Sequence, residues 1–298
     1  SSLARANQDR DYHIFEEYAY YLVSEARQKC ANHIFKLGGN VYAFDSTTID
    51  LCLSVFWWAK FRKKKGGIKV HTLYDVETQI PAFFHITEAS VHDSKVMIEI
   101  PYEPSSYYIF DRGYNNFKIL YKIHQIEAYF VVRAKKNLGY KSIQWKRRLP
   151  KNVLSDASVF LTGFYPKQYY PEPLRLVKYW DEEQEREFTF ITNAMHISAL
   201  QVAELYKNRW QVELFFKWLK QHLKIKRFWG TTENAVRIQI YAAICAYCLV
   251  AIIQHDMQLN RSTYEVLQIL SISLTDKTHL RDLFDKTKFQ NDKERFGP

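Results

Sequence analysis

The sequence predicts an α/β fold in which a mixed sheet is flanked by helices and a β-rich segment is inserted before the helix expected from about residue 198. Three strand-like segments come first, and helix and strand patterns then alternate up to about residue 135. Short strand patterns with clustered prolines fill residues about 135–195. From Ser198 onward the pattern is mostly helical.

The first half of the chain supplies the sheet. Residues about 10–30 have the pattern of an amphipathic helix, within a helical segment over residues 1–40 that leads into the core. Strands are expected at NVYAFDSTTI, IKVHTLYD, QIPAFFHIT, SYYIFD and AYFVVRAK. Two of them are expected to end at acidic residues, Asp45 and Asp111. Functional sites gather at strand ends in α/β sheets.

The sequence pattern changes in the second half of the chain. ASVFLTGF, LRLVKYW and REFTFITN are expected to be short strands, and DEEQE lies between the last two as a hairpin turn. Helices are expected over about 198–223, 231–257 and 262–273.

Composition limits the class of protein. Hydrophobic residues make up 47% and charged residues 25% of the 298-residue chain, which favours a packed core over disorder. The net charge is +10 and aromatics reach 16%, so the first expectation for a partner is nucleic acid. Cys245 and Cys248 form a C-x-x-C inside an apolar helix without a second pair, which favours core packing over zinc binding.

The cellular context follows from cysteine and apolar patterns. Four cysteines in a chain of this length are typical of a reduced, cytosolic protein. The apolar run between Gln239 and Gln254 is shorter than the roughly twenty residues of a membrane span, so a buried helix and no membrane partner are expected. The N-terminus is polar and lacks an initiator methionine, which is consistent with a fragment.

The segment YKNRWQVELFFKWLK combines apolar and charged residues. On one continuous helix its polar side chains would lie within an arc of roughly 80°; they are Tyr206, Arg209, Glu213, Lys217 and Lys220. One interpretation is a solvated face with an Arg209–Glu213 pair, which contributes a few tenths of a kcal/mol at most. The other is a set of groups that binds a charged ligand.

Asp45 and Asp111 favour the second interpretation. Together with Glu213 they could supply oxygen ligands for Mg²⁺ or Mn²⁺. Two such ions about 3.5–4 Å apart would clamp the attacking and leaving oxygens of a phosphodiester. The alternative for Asp45 is a cap or turn before STT, and for Asp111 a turn ahead of Gly113.

Three motifs together resemble one family. Tyr206-x2-Arg209-x3-Glu213-x6-Lys220 is similar to the Tyr-Arg-Glu-Lys signature of the DDE transposases of the insertion sequence four family. FDSTTI around Asp45 and DRGYNNF around Asp111 resemble the family's two aspartate regions. The resemblance covers residues about 40–275.

The resemblance implies a ribonuclease-H-like catalytic domain over residues 41–298, interrupted by a β-rich insertion at about 135–195. It implies cut-and-paste transposition, with metal-dependent cleavage and strand transfer at insertion-sequence ends. Asp45, Asp111 and Glu213 would be catalytic and would hold two Mg²⁺ or Mn²⁺ ions. Tyr206, Arg209 and Lys220 would position DNA phosphates.

The resemblance also implies the partners. These are double-stranded DNA, both element ends and target, and a second copy of the chain in the DNA complex. The place of action would be the bacterial cytoplasm, at the nucleoid when bound to DNA. Such proteins usually carry an N-terminal DNA-recognition domain, and this chain begins almost at the catalytic core.

Other residues are candidates for contacts with DNA. Lys217 lies beside the carboxylate of the signature segment, and Arg133 ends a predicted strand. Lys63 and Lys64 belong to the basic run KFRKKKGGIK, which is either a solvated hairpin tip or a loop that follows phosphates. By analogy with relatives that hold a flipped base on an aromatic side chain, Trp180 is a candidate for that role.

Two other functions share these features. An inactive or domesticated relic would bind DNA without cutting it, and a general metal-dependent nuclease of the same fold would cut without joining.

Overall fold

The computed structural model describes residues 2–31, 35–62, 65–222, 228–261, 263–273 and 277–286. Within them ten strands form one sheet. The strands are β1 (Val41–Leu51), β2 (Lys60–Arg62), β3 (Lys65–Asp75), β4 (Ile80–Glu88), β5 (Tyr107–Phe110), β6 (Tyr129–Arg133), β7 (Tyr140–Trp145), β8 (Val153–Leu161), β9 (Leu174–Asp181) and β10 (Arg186–Thr192). The helices are α1 (Ser2–Asp9), α2 (Tyr12–Lys29), α3 (Asp93–Val96), α4 (Phe117–Gln125), α5 (Phe164–Tyr169), α6 (Ala199–Lys207), α7 (Trp210–His222), α8 (Glu233–Asp256), α9 (Thr263–Ser273) and α10 (Leu280–Lys286).

The sheet is mixed, as the sequence predicts. Its strand order is β2-β3-β1-β5-β6-β10-β9-β8-β7, and β4 pairs with β3. β1 runs antiparallel to β3 and parallel to β5, which is parallel to β6. Helices cover both faces of this sheet, an arrangement compatible with a ribonuclease-H-like fold.

The β-rich segment continues the same sheet rather than forming a second one. β10 pairs antiparallel with β6, opposing Phe190 to Arg133. β9, β8 and β7 then follow as antiparallel neighbours. Pairing with β10 satisfies the backbone groups that β6 would otherwise leave open at a sheet edge. The exact limits of this insertion and of the domain that it interrupts stay predictions.

β1 is longer than the sequence predicts. It was expected to end at Asp45 but runs to Leu51, because β3 pairs with it from Tyr42 opposite Asp75 to Leu51 opposite Gly66. On its other side β1 pairs with β5 only as far as Phe44. Asp45 therefore lies inside a strand, at the point where one of its two neighbours ends.

The helix expected over residues 198–223 is two helices. α6 ends at Lys207 and α7 begins at Trp210, so Arg209 lies in the turn between them. Asn208 explains the interruption, because it caps α6 with its backbone N–H and also donates its side-chain amide to the Glu204 carbonyl at 2.9 Å. The polar side chains of this segment are therefore carried by two helices and the turn between them, not by one continuous helix.

Two apolar cores lie on the two faces of the sheet, as strand alternation requires. One contains Ala43 and Ile109 with α2, α6, α7 and α8, and the other contains Phe44 and Phe110 with α3 and α4. α8 is long and apolar enough to cross a bilayer by length and composition, and 56% of its most apolar stretch is buried inside the protein. Cys245 and Cys248 are buried there, which confirms core packing.

Candidate active site

Asp45 and Asp111 are brought together by strand register. β1 and β5 are parallel, and the last residue pair of their ladder is Phe44 with Phe110. Asp45 and Asp111 are the residues that follow this pair on the two strands. Because corresponding positions on parallel neighbours point to the same face, both carboxylates emerge on the same side of the sheet. Their side chains are 22% and 38% exposed.

The Asp45 carboxylate is held by three donors. Oδ2 accepts a hydrogen bond from Nη1 of Arg209 at 2.8 Å. Oδ1 accepts from the Ser46 backbone N–H at 2.8 Å and from the Tyr114 hydroxyl at 3.3 Å. Burial raises the pKa of Asp45, and the charge of Arg209 and the bond from Ser46 only partly offset this, so the pKa lies above its ordinary value.

The surroundings of Asp111 shift its pKa in the opposite direction. Its Oδ1 accepts a hydrogen bond from the Tyr206 hydroxyl at 2.7 Å, and Nη1 of Arg133 lies 3.9 Å away. Burial raises the pKa of Asp111, but the Tyr206 bond, the Arg112 backbone N–H, Arg209 and Arg133 outweigh it. The pKa of Asp111 therefore lies below its ordinary value. The two aspartates are neighbours whose pKa values are moved apart.

Arg209 joins two of the three candidate carboxylates. Its Nη2 donates to Oε1 of Glu213 at 2.6 Å, while its Nη1 binds Asp45. The Arg209 side chain is 15% exposed, and its Nε is buried without a hydrogen-bond partner in the described part of the chain. Glu213 is 56% exposed, so its carboxylate borders solvent.

Tyr206 does not lie on an exposed polar stripe. It is 8% exposed, and its ring packs against Phe190 and Phe188, with centroids 4.7 and 5.7 Å away. Burial, with the charge of Asp111 second, raises the pKa of Tyr206 to about 12. The phenol is thus a neutral donor that fixes Asp111.

The two lysines of α7 lie beside Asp45 and Glu213. Together with these carboxylates, Lys217 and Lys220 line an open cavity of about 440 Å³. Lys217 is exposed. Nζ of Lys220 donates to the Thr48 carbonyl on β1 at 2.9 Å.

Arg133 lies on the other side of the site. It lines a cavity of about 550 Å³ with Asp111 and Tyr206, and its guanidinium lies 4.9 Å from the centroid of Phe188. Arg186 lies 4.3 Å from the same ring. Lys63 and Lys64 fall outside the described residues.

Sequence reasoning missed several residues around the site. Tyr114 binds Asp45 from within DRGYNNF, and that motif was the only signal for it. Nothing in the sequence pointed to Arg186 as a site residue, because only the fold brings β10 beside α6. Trp180 is 39% exposed and opposes Glu187 in the β9–β10 ladder. Tyr179 and Phe188, which line the cavity beside Asp111, point to the opposite face.

The donor set fits a hard divalent cation in its chemistry. Asp45, Asp111 and Glu213 offer the carboxylate oxygens that Mg²⁺ and Mn²⁺ prefer. In the described residues no group of three His, Cys, Asp or Glu side chains is placed to hold one ion. Arg209 instead supplies the positive charge between Asp45 and Glu213.

The chain is similar to known proteins over most of its length. The profile of a family described as transposase DDE domain matches residues 36–249. A protein of Sinorhizobium fredii named as a transposase, y4zB, is 37% identical over 246 residues, covering 80% of this chain and 67% of the relative.

Two further relatives are more distant. A protein of Geobacillus stearothermophilus named as a transposase for insertion sequence element IS5377 is 27% identical, covering 84% of this chain and 66% of its own. A Synechocystis protein named for element IS4SA is 24% identical, covering 93% and 78%. The chain spans about two thirds of the length of the first two relatives.

Proposed function

Because the chain belongs to the transposase DDE domain family, we propose that it is a DNA transposase that cuts DNA at insertion-sequence ends and transfers the freed strand to target DNA. One observation carries this proposal. Asp45 and Asp111 leave neighbouring parallel strands in register, and Arg209 links Asp45 to Glu213. Two carboxylates at adjacent strand positions and a third linked to one of them through Arg209 would then act together, beside cations that suit a phosphodiester.

The three carboxylates would hold two Mg²⁺ or Mn²⁺ ions. Such ions, when bound, activate the attacking oxygen and neutralise the leaving one. The chain's own residues prepare the site. Tyr206 fixes the orientation of Asp111 through its hydroxyl, and Tyr114 does the same for Asp45. Arg209 keeps Asp45 and Glu213 close together despite their like charge.

The neighbouring cations would bind phosphates of the DNA. Arg209, Lys217 and Lys220 border the Asp45 side, and Arg133 borders the Asp111 side. Arg209 would exchange its carboxylate partners for a phosphate, since a guanidinium binds both kinds of oxyanion through paired N–H groups. Lys63 and Lys64 are proposed as further phosphate contacts on sequence grounds alone.

The proposed organisation and setting follow from this function. Residues 41–298 would form the catalytic domain, interrupted at about 135–195, and residues 1–40 would lead into it. The partners would be double-stranded DNA of the element ends and the target, bound by two copies of the chain. The reaction would take place in the bacterial cytoplasm, on the nucleoid.

The test compares Glu213→Gln with the unchanged protein on a duplex carrying the terminal repeats that flank the chain's own coding sequence. Loss of cleavage and strand transfer with retained DNA binding is expected, because the amide keeps the shape of the side chain but not its charge. Glu17→Gln, at an exposed position on α2, is the matched control and is expected to leave both steps intact.

The outcomes separate three functions. DNA binding by the unchanged protein without any cutting, at all Mg²⁺ and Mn²⁺ concentrations, would point to a relic. Cutting that never joins ends to target would point to a nuclease. Normal cutting by Glu213→Gln would remove Glu213 from the catalytic set.

A further inference from the structure

Two cavities are lined by the candidate catalytic carboxylates, a third shares Arg133 with one of them, and the charges of the three differ. The cavity beside Asp45 and Glu213 has two lysines against two carboxylates. The cavity beside Asp111 and Tyr206 holds cations and a slight excess of carboxylates; the cations are Arg133, Arg186, Lys207 and Arg209, and the carboxylates are Asp111, Asp181, Glu182, Glu183 and Glu204. Neither cavity concentrates positive charge.

The third cavity, called the basic cavity below, has a volume of about 280 Å³ and a strong cation excess. Its only acidic lining residue in the described part of the chain is Glu187. Its cationic lining residues are Arg112, Arg133, Lys135, Lys136 and Lys178. Like charges in one concavity raise the local concentration of anions, and of the three cavities this one has the largest excess of cationic lining residues.

The cations of the basic cavity are largely without protein partners. Arg112, Lys135 and Lys136 make no ion pair with any residue that the structure describes. Nε of Arg112 is buried and has no hydrogen-bond partner among the same residues. Lys178 lies 3.9 Å from Glu187, a long contact between exposed groups that contributes little.

The backbone that carries these cations is fixed. The side-chain amide of Asn115 donates to the carbonyl of Arg112 at 2.7 Å and to the carbonyl of Arg133 at 2.9 Å. This amide ties the turn after β5 to the end of β6. Beyond Arg133, the Leu138 N–H closes a turn on the Lys135 carbonyl at 3.1 Å. A backbone that is already ordered loses less entropy when its side chains bind a ligand.

The basic cavity adjoins the catalytic carboxylates. Arg112 directly follows Asp111, and Arg133 lines both the basic cavity and the cavity beside Asp111. On β9 and β10 the two cavities use alternate residues, Tyr179 and Phe188 in one and Lys178 and Glu187 in the other. They therefore lie on opposite faces of the extended sheet.

We infer that the basic cavity is a second phosphate site, which holds the sugar–phosphate backbone of the DNA next to the bond that is cut. The identity of the ligand as DNA rests on the proposed function. Positioning and chemistry are then divided between the two faces. Arg112, Lys135 and Lys136 hold the backbone electrostatically, and the carboxylates on the other face perform the reaction. This division lets carboxylates gather at the reacting phosphate without repelling the DNA as a whole.

The test measures binding without divalent ions, so that it does not depend on catalysis. Arg112→Gln/Lys135→Gln/Lys136→Gln is titrated with a labelled duplex in EDTA over a range of salt concentrations. We expect affinity to fall about 10- to 100-fold and the slope of log K against log salt to become shallower by about 2.7, since each lost phosphate contact removes about 0.9. Lys135→Gln/Lys136→Gln, at two exposed positions, keeps the test available if the triple variant does not fold, and its slope should fall by about 1.8.

The matched control removes the same charge elsewhere. Arg5→Gln/Lys122→Gln/Lys167→Gln changes three exposed residues on α1, α4 and α5, outside the three cavities. Its slope should stay close to that of the unchanged protein. A folded triple variant in the basic cavity with unaltered affinity and slope overturns the inference.

Two further outcomes are informative. If the triple variant loses binding of inorganic phosphate but keeps its DNA affinity, the cavity serves a free anion and the inference is wrong. If the unchanged protein never cuts DNA but its binding still depends on the basic cavity, the inference stands while the proposed function fails.

Discussion

The guanidinium of Arg209 lies 2.8 Å from the carboxylate of Asp45 and contacts Glu213 with its other amino group. Burial lowers the pKa of Arg209, but Tyr206 and the two carboxylates outweigh it, so the pKa is raised above the ordinary value and the charge is permanent. The permanent positive charge of Arg209 therefore lies between Asp45 and Glu213. A divalent cation bound by the same carboxylate oxygens would have to compete with it.

Removing this charge should strengthen the binding of divalent ions. For Arg209→Ala in the absence of DNA we expect Mn²⁺ affinity to rise about tenfold, because a neighbouring cation no longer repels the ion. Calorimetric titration with Mn²⁺ measures this directly. The matched control is Arg237→Ala, which breaks a similar i,i+4 pair with Glu233 on α8 at 2.8 Å. Equal Mn²⁺ affinity in all three proteins would show that Arg209 does not compete with the ion.

The pKa of each aspartate should depend on its own tyrosine. Tyr206→Phe removes a donor that lowers the pKa of Asp111, so that pKa should rise toward or above its ordinary value. Tyr114→Phe should raise the pKa of Asp45 and leave Asp111 unchanged. Carboxyl carbon chemical shifts followed against pH measure both titrations. An unchanged Asp111 titration in Tyr206→Phe would mean that the 2.7 Å contact does not govern it.

The sequence predicted the strands better than the geometry of the site. Apolar runs mark the start of β1 and the whole of β5, and the strand pattern SYYIFD placed Asp111 correctly at a strand end. Asp45 was wrongly placed at the end of β1, because the strand's length is set by pairing with β3, which local pattern does not show. The partnership of Asp45 with Arg209 joins residues 164 positions apart and was equally invisible.

The helix break shows a second limit of sequence reasoning. The spacing from Tyr206 to Lys220 fits one helix, yet Asn208 ends α6 and places Arg209 in a turn. Side-chain to backbone hydrogen bonds compete with helix continuation at such positions. Tyr206, near the end of α6, is buried and donates its hydroxyl to Asp111, whereas Glu213 on α7 is exposed.

A buried ion pair in the β-rich insertion also contacts the segment that leads into α6. Arg175 on β9 binds both oxygens of Asp156 at 2.7 Å and donates to the carbonyls of Ala194 and Ile197, just before α6. Arg175 is 2% and Asp156 4% exposed. Asp156→Asn would leave a buried arginine without its countercharge, and we expect a loss of about 3–5 kcal/mol in the free energy of unfolding near neutral pH.

This loss should depend on pH with a definite sign. Burial raises the pKa of Asp156, but hydrogen bonds and charge from Arg175 and Lys146 outweigh it and leave the pKa below its ordinary value near 3.8. The stabilisation is therefore complete above that value and disappears as the pH falls through the lower, folded-state pKa.

Urea unfolding at a series of pH values measures the difference between Asp156→Asn and the unchanged protein, which should shrink as the medium becomes acidic. Glu182→Gln, which breaks an exposed pair with Lys151, is the control and should show only a small effect at any pH. A pH-independent difference for Asp156→Asn would contradict the argument.

The two lysines of α7 allow a matched test of phosphate binding. Both line the cavity beside Asp45 and Glu213, but only Lys220 is seen to be held by the Thr48 carbonyl. Lys220→Ala should weaken DNA binding and make the salt slope shallower by about one.

Lys217→Ala should shift the slope similarly but cost less affinity, because its exposed side chain must lose more conformational freedom on binding. Titration of a labelled duplex at several salt concentrations gives both quantities. The salt slope of Lys220→Ala could instead stay unchanged while the free energy of unfolding falls by about 1 kcal/mol, because the hydrogen bond is lost. Lys220 would then stabilise β1 and would not bind phosphate.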